Sequence, residues 1–295
     1  DPACGTGGML IEAIRYIHDD KMTYGKMYGQ EKNLATSAIA RMNLFLHGGR
    51  DFKITQGDTL RQPNYLENNK LKRFDCVLAN PPFSLKDWGA VAFKYGRNMW
   101  GCPTDKMGAD YAWLQHMIMS MNARTGRCAV VLPQGVLFRS GKEGEIRKQL
   151  VESDKLECII ALSGGIFYST GVSACILFLN NAKTHNHIGR VCMIDASNIY
   201  TPQRAQNIMS DTDVEEIFNL YTDYQDVVEK SKVVTLEEIR NKEYSLAINN
   251  YIEKKKQEVT PPEEVRKQYF EALQATREAE AYIKELLIEG GYVNE

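Results

Sequence analysis

The sequence predicts an α/β fold: a parallel, doubly wound sheet followed by a helical C-terminal region. Over the first 200 residues, strand-like runs alternate with helix-like segments of about 10–15 residues, the pattern of βαβ units. Several strands are continuous apolar runs, as expected where both faces of a sheet are covered. After about Asp195 the strand-like runs stop and helix-capping signals take their place.

Five elements are predicted before residue 84. The segment Asn33–His47 is the clearest helix, because Asn33 can cap it, apolar residues recur on one face and Gly48-Gly49 ends it. In chain order the elements are a helix at Met9–Ile17, a strand at Lys26–Gly29, the helix Asn33–His47, and strands at Phe52–Gln56 and Phe74–Ala79.

The next part of the chain opens with a long irregular loop, residues 84–108. The last two strands that follow it are joined by a polar loop, which predicts an antiparallel hairpin at one edge of the sheet. The elements are a helix at Ala109–Arg124, a strand at Cys128–Leu132, a helix at Gly144–Val151, and strands at Leu156–Leu162, Ala174–Leu179 and Val191–Ile194.

Three capping signals predict helices in the remaining chain. Asp213 with Glu216 opens one helix, Thr235 with Glu238 a second, and Thr260-Pro261-Pro262-Glu263 a long third helix that ends near Glu289. The third carries apolar residues at three- and four-residue spacing from Val265 to Leu286. The predicted domains are therefore residues 1–200, a helical extension at 201–259, and a terminal helix at 260–295.

Composition excludes several classes of protein. The 295 residues are 43% hydrophobic and 25% charged with a net charge of −2, which excludes fibrous and largely disordered chains. Without a basic excess, the chain can contact nucleic acid only through a local patch or beside a partner. Its 7 cysteines form no CxxC and predict neither a disulfide frame nor a metal site. Since no apolar run approaches the ~20 residues of a membrane span, we expect a cytoplasmic protein with no membrane partner.

The segment Asp1–Gly8, DPACGTGG, leads directly into the first helix. Its glycines let the backbone approach a ligand closely, and a helix N-terminus offers free N–H groups. A simple tight turn is the alternative. The bunched glycines with no following lysine do not match a P-loop or the usual dinucleotide pattern.

Two acidic residues follow at the ends of the next predicted strands. Glu31 is placed where its carboxylate can accept hydrogen bonds from both hydroxyls of a ribose. Asp58, in Gln56-Gly57-Asp58-Thr59, is placed where an adenine amino group would lie. The alternatives are a helix cap and a turn residue. The order of the three features at successive strand ends favours a nucleoside-containing ligand.

The segment Asn80-Pro81-Pro82-Phe83 follows the apolar strand Phe74–Ala79. Its prolines remove two backbone donors, so that carbonyl oxygens beside them stay free to accept hydrogen bonds. Together with the Asn80 side chain they can hold a planar NH2 group, and Phe83 offers a ring for stacking.

These segments resemble the S-adenosylmethionine-dependent amino-methyltransferases. More closely, DPACGTGGML, GQEKNLATSAIARMNLFLHG, GDTL, FDCVLANPPFS, ADYAWLQHMI, VVLPQGVLFRSGKEGEIRKQLVE, TGVSACILFL and EYSLAINNYI are similar to the modification subunit of type I restriction-modification systems. The resemblance covers nearly the whole chain. It implies a Rossmann-like methyltransferase sheet, adenine-N6 methylation of DNA with S-adenosylmethionine, and specificity and restriction subunits as partners.

The resemblance also implies roles for individual residues. The implied catalytic residues are Asn80, Pro81, Pro82 and Phe83. The implied cofactor-binding residues are Asp1, Ala3, Cys4, Gly5, Thr6, Gly7, Glu31, Asp58, Thr59 and Asn80, with no metal ligand.

The family's upstream helical domain and first strand do not appear in this sequence. That strand should directly precede Asp1 and lie between the strands that carry Glu31 and Asn80. We therefore expect two half-sheets separated by a gap, displacement near residues 1–10, and no activity of this chain alone.

Two other functions remain open at this stage. The same chemistry serves other planar NH2 groups, such as guanine N2 of RNA or a protein glutamine amide, and a fragment can be a non-catalytic assembly module. Within residues 84–108, Lys86, Trp88, Lys94, Tyr95, Arg97 and Trp100 form either a DNA-contacting loop or an ordinary surface lid.

Overall fold

A six-stranded mixed sheet and a separate two-stranded parallel sheet carry the fold. The computed structural model describes residues 1–19, 26–167, 171–203, 206–253 and 261–292. Contacts divide the chain into two units, residues 1–253 and residues 254–295.

The helices and strands follow the predicted alternation closely. The helices are α1 (Gly8–Asp19), α2 (Leu34–Leu46), α3 (Asp110–Ser120), α4 (Lys142–Glu152), α5 (Asp211–Asp223), α6 (Leu236–Asn241) and α7 (Pro262–Glu289). The strands are β1 (Met27–Glu31), β2 (Phe52–Gln56), β3 (Leu66–Glu67), β4 (Lys70–Leu71), β5 (Cys76–Ala79), β6 (Arg127–Pro133), β7 (Leu156–Leu162), β8 (Ala174–Asn180), β9 (Arg190–Ala196) and β10 (Ser231–Thr235).

The large sheet has the strand order β10-β9-β7-β8-β6-β5. The β5–β6 and β7–β9 pairs are parallel, whereas β8 runs antiparallel to both β6 and β7. The predicted edge hairpin of the last two strands is therefore wrong. Instead, β8 inserts into the middle of the sheet, where most of its side chains are buried.

The region after Asp195 is not purely helical, because β10 pairs antiparallel with β9 and extends the large sheet. Residues 201–253 accordingly belong to the first unit, and no boundary lies at residue 200. The predicted cap of Asp213 with Glu216 is wrong, since Ser210 and Asp213 form the capping box of α5. The capping box of Thr235 and Glu238 is confirmed. Thr260 lies outside the described residues.

The small sheet pairs β1 with β2 in parallel, with Glu31 opposite Gln56. The other side of β1 is taken by the segment Asp1–Cys4: Gln30 N–H donates to the Asp1 carbonyl at 3.0 Å, and Cys4 N–H donates to the Gln30 carbonyl at 3.1 Å. The helices α1 and α2 cover this sheet, and the cluster between them is Cys4, Leu10, Ile11, Ile14, Ala40, Leu44 and Ile54.

A mostly apolar cavity of about 170 Å³ lies between β1 and β5. Met27 and Tyr28 line it from β1, and Cys76 and Val77 from β5. The expected gap between the strands carrying Glu31 and Asn80 is thus present, and the rings of Tyr28 in β1 and Phe74, shortly before β5, pack together with centroids 5.2 Å apart.

The helix α7 begins with Pro262 in its first turn and spans 28 residues, none of which is buried. Its exposed apolar side chains include Val265, Tyr269, Ile283 and Leu286. Among the described residues, no helix is long and apolar enough to cross a membrane.

Candidate active site

The loop Asp1–Gly8 is held in place by its own backbone and by β1. The Asp1 carboxylate accepts a hydrogen bond from Ala3 N–H at 2.9 Å, and Gly7 N–H donates to the Cys4 carbonyl at 2.8 Å. Gly5 and Gly7 have φ values of +52° and +88°, which glycine adopts without the cost of a Cβ. The expectation of displacement near residues 1–10 is therefore wrong, because β1 supplies the support expected from a preceding strand.

Cys4 points away from the ligand side of this loop. Its side chain is 5% exposed and lies in the core beneath α1, and burial raises the pKa of its thiol to about 11. Its backbone N–H and carbonyl are already used within the loop and with Gln30. A Cβ at Gly29 would lie 2.9 Å from the Cys4 sulfur, so β1 requires glycine for this close approach. Cys4 therefore shapes the loop through its buried side chain and its backbone hydrogen bonds, and its implied part in cofactor binding stays a prediction.

Glu31, the last residue of β1, joins the loop to the start of α2. Its Oε2 accepts from Gly5 N–H at 3.1 Å, and its Oε1 accepts from Asn33 N–H at 2.8 Å. Asn33 in turn caps α2 by accepting from Thr36 N–H at 3.0 Å. The cap of α2 is therefore Asn33 and not Glu31, the alternative considered for it, and each Glu31 carboxylate oxygen retains capacity for a further donor.

Asp58 and Thr59 form the turn after β2. Asp58 Oδ1 accepts from Arg61 N–H at 3.2 Å, and its Oδ2 lies 3.0 Å from Lys32 Nζ. The Thr59 hydroxyl donates to the Pro2 carbonyl at 2.6 Å, which ties this turn to the motif loop.

The ends of β1 and β2, with Pro2 and Ala3 of the loop Asp1–Gly8, border one groove of about 580 Å³, a volume in the range of small-molecule sites. The other predicted cofactor residues of that loop, Asp1, Cys4, Gly5, Thr6 and Gly7, are not among the residues that line it. Two carboxylates, a hydroxyl and apolar surface from Trp113 converge on it. Its lining includes Pro2, Ala3, Glu31, Lys32, Asn33, Asp58, Thr59, Pro82, Leu85 and Trp113. This donor and acceptor set fits a nucleoside-containing ligand such as S-adenosylmethionine, with carboxylates for hydroxyl and amino groups and apolar surface for a ring.

The segment Asn80-Pro81-Pro82-Phe83 starts immediately after β5 and reaches the same groove through Pro82. Asn80 is exposed, Pro81 is buried and Phe83 is half-buried. No hydrogen bond found in the described part of the chain uses the Asn80 side-chain amide. Phe167 stands edge-on to Phe83 with ring centroids 6.1 Å apart, an aromatic neighbour that the sequence did not indicate.

An ion pair between a buried carboxylate and a half-buried arginine anchors this segment from behind. The Asp110 carboxylate is fully buried at the start of α3, and its Oδ1 accepts from Ser84 N–H at 2.7 Å. Its Oδ2 accepts from Arg139 Nη1 at 2.9 Å. Ser84 itself has a φ of +50°, an uncommon conformation for a residue with a side chain. The Asp110–Arg139 pair thus fixes the backbone at the residue after Phe83.

The loop 84–108 is packed against the groove instead of forming an open lid. Trp88 and Arg97 are buried, at 2% and 0% exposure, and Trp88 belongs to a cluster with Leu60 and Trp113. The DNA-contacting hypothesis is wrong for these two side chains. Lys86, Lys94 and Tyr95 remain exposed and Trp100 is half-buried.

The model of the N-6 DNA methylase family matches residues 1–260. The chain belongs to this family. It is 34% identical over 265 residues to the methylase subunit of the type I restriction enzyme MjaVII from Methanocaldococcus jannaschii, covering 85% of this chain and 45% of that protein. It is also 34% identical to the HindI methylase subunit from Haemophilus influenzae, covering 88% of this chain and 59% of that protein.

A solved structure supports the same assignment. The methyltransferase subunit of a type I restriction-modification system from Streptococcus thermophilus superposes with a TM-score of 0.76 at 32% identity, over 86% of this chain and 53% of that one. The fold is therefore that of an S-adenosylmethionine-dependent methyltransferase. This N-6 DNA methylase chain spans about half the length of the curated relatives it matches.

His187 takes a structural role in this methylase chain. Its Nδ1 lies 2.9 Å from Glu157 Oε1 and its ring stacks on Tyr224. Among the residues that the structure describes, no group of three or more His, Cys, Asp or Glu side chains is arranged to hold a metal ion.

Asp110→Asn tests the anchor behind the Asn80–Phe83 segment in the full-length methylase. The change removes the charge that pairs with Arg139, and the new side-chain NH2 group faces N–H donors from which it cannot accept a hydrogen bond. The free energy of unfolding should therefore fall by about 1–3 kcal/mol. Urea unfolding measures it. Glu145→Gln is the control, since Glu145 forms only an exposed ion pair with Lys142 and should change little. Equal effects of the two changes would contradict the anchoring role.

Proposed function

We propose that the protein containing this chain is the modification subunit of a type I restriction-modification complex, a cytoplasmic, site-specific DNA adenine-N6 methyltransferase. The observation that carries the proposal is the position of Asn80-Pro81-Pro82-Phe83, at the end of β5 and beside the groove lined by Glu31 and Asp58. Relatives named as type I methylase subunits favour DNA over RNA or protein as the substrate.

S-adenosylmethionine, when bound, supplies an activated methyl group on a sulfonium centre. We assign the ribose hydroxyls to Glu31, whose oxygens each keep an unused lone pair, and the adenine amino group to Asp58. Thr59 supports the Asp58 turn through its bond to Pro2. The methionine end is assigned to the loop that carries Asp1, Ala3, Gly5, Thr6 and Gly7.

The target adenine lies inside a duplex, so it must be flipped out before it can reach this groove. The Asn80 side-chain oxygen and the Pro81 carbonyl then accept hydrogen bonds from the adenine N6–H groups. Pro81 and Pro82 lack N–H donors, so that the segment presents acceptors to the amino group. These oxygens stabilise the positive charge that develops on N6, and Phe83 stacks on the base.

Partners follow from the same proposal. The exposed Lys86, Lys94 and Tyr95 of the loop 84–108 suit contact with DNA beside the flipped base. The specificity subunit reads the DNA sequence, and the restriction subunit completes the complex.

Glu31→Ala should weaken binding of S-adenosylmethionine to the full-length subunit. The change removes charge-assisted hydrogen bonds to the ribose, with an expected loss of about 1.5–3 kcal/mol in binding free energy. Isothermal titration calorimetry measures this loss. Glu12→Ala is the control, because Glu12 is exposed on α1 and pairs only with Arg15. Unchanged affinity in the Glu31 variant would remove Glu31 from the site.

Asn80→Ala should abolish methyl transfer in the complete complex while leaving affinity for S-adenosylmethionine nearly unchanged, since Asn80 is assigned to the target base. Phe83→Tyr should retain activity because the stacking face survives, whereas Phe83→Ala should not. Mass spectrometry of N6-methyladenine in DNA gives the readout. Normal turnover by the Asn80 variant would end the assignment, and methylation of RNA or a glutamine peptide instead of DNA would replace the substrate.

The helix α7 is proposed as the docking element for the specificity subunit. Its apolar residues recur at three- and four-residue spacing, as in helices that pack along a partner helix. Deleting residues 260–295 from the full-length subunit should leave cofactor affinity intact but abolish co-purification with the specificity subunit.

A matched pair of double variants sharpens the α7 test. Tyr269→Asp with Ile283→Asp places two charges on the apolar stripe, and Gln274→Asp with Ala281→Asp places two on the opposite face of the helix. Only the first pair should disrupt assembly. Retained assembly with the first pair would return α7 to a role within its own chain.

A further inference from the structure

Arg97 is a fully buried arginine in the loop 84–108, directed at the turn that follows β2. Its Nη1 donates to the Thr59 carbonyl at 2.8 Å and its Nη2 to the Leu60 carbonyl at 2.9 Å. One guanidinium thus bridges two consecutive peptide groups of the turn that carries Asp58, a geometry suited to the planar fork of arginine.

The remaining contacts of Arg97 hold its guanidinium in place. Its Nε donates to the Lys94 carbonyl at 2.8 Å, and the group lies 4.4 Å from the centre of the Phe93 ring. Its Nη1 also lies 3.4 Å from His116 Nδ1. Burial first, and then the charge of Arg97, lower the pKa of His116 to about 3, so the neutral imidazole accepts this bond.

No carboxylate forms an ion pair with Arg97 in the parts of the chain that the structure describes. Burial lowers the pKa of Arg97 to about 10, which leaves it charged at neutral pH. Its charge is therefore stabilised by the carbonyls of Thr59, Leu60 and Lys94 together with an aromatic face. Burying a charged guanidinium is costly, and these contacts offset the cost. The same contacts fix the directions of the three carbonyl groups.

The Leu60–Arg61 peptide connects Arg97 to Asp58. The carbonyl side of this peptide accepts from Arg97, and its N–H side, which belongs to Arg61, donates to Asp58 Oδ1 at 3.2 Å. Fixing the plane of the peptide therefore fixes the direction in which the N–H meets the carboxylate. The other oxygen, Asp58 Oδ2, lies 3.0 Å from Lys32 Nζ, and both of these residues line the groove.

We propose that Arg97 is a positioning residue for cofactor recognition, acting through the Leu60–Arg61 peptide to orient the Asp58 carboxylate. The inference rests on the proposed function, because Asp58 is there assigned to the adenine amino group of S-adenosylmethionine. Through Arg97, the loop 84–108 acts in cofactor recognition, in addition to the DNA contact proposed for its exposed residues.

A double-mutant cycle in the full-length subunit tests the inference, with affinity for S-adenosylmethionine measured by calorimetry. Arg97→Gln should weaken binding about tenfold. Because Arg97 acts through Asp58, the double variant Arg97→Gln with Asp58→Ala should bind no more weakly than the single variant Asp58→Ala. Turnover at saturating cofactor should stay within about twofold, since the loss falls on binding. The exposed Arg50, changed to Gln, is the control.

Additive losses in the cycle would overturn the inference, since Arg97 would then act independently of Asp58. The inference would also be overturned if the Arg97→Gln variant bound S-adenosylmethionine as tightly as the unchanged subunit does. If Arg97→Gln fails to fold, Arg97→Lys takes its place in the cycle, because lysine keeps the charge but cannot bridge two carbonyls. If neither variant folds, the role of Arg97 is in stability alone and the inference is overturned. Absence of binding by the unchanged subunit would instead refute the proposed function.

Discussion

The backbone hydrogen bonds between the segment Asp1–Cys4 and β1 are the constraint on which the candidate site depends. They place Gly5 N–H against the carboxylate that ends β1, so that the glycine loop and Glu31 form one surface. Since β1 is a strand of a small sheet covered by α1 and α2, the loop is bonded to a strand that a packed core holds in place. The site is thus built on strand ends even where β1 and β5 are separated by a cavity.

Carboxylates at this site do two things at once. Glu31 and Asp58 each accept backbone hydrogen bonds that shape their own turn while they line the groove. Asp110 is buried instead, and it holds the Ser84 backbone behind the Asn80–Phe83 segment. A carboxylate has about four acceptor positions, so a structural bond does not exhaust it. A structural hydrogen bond therefore does not exclude a ligand-binding role for the same carboxylate.

The loop 84–108 shows why composition alone misleads. Aromatic residues interleaved with basic ones are typical of nucleic-acid contacts, and the exposed Lys86, Lys94 and Tyr95 fit that interpretation. Trp88 and Arg97 instead face inward, because Leu60 and Trp113 offer apolar surface and the Thr59 and Leu60 carbonyls offer acceptors. The same residue types serve two faces of one loop, and only packing separates them.

The sequence by itself determined the alternation of elements, the helices α2 and α7, the end of β5, and the family, since capping residues, glycine loops and proline stops act within a few residues. Tertiary structure decided the insertion of β8 between β6 and β7, the strand β10, and the partners of Asp110 and Arg97. Those features join residues distant in the chain: Ser84 N–H meets Asp110, and Arg97 meets the carbonyl of Leu60. Such contacts depend on which surfaces the folded chain brings together, and no local pattern of residues encodes them.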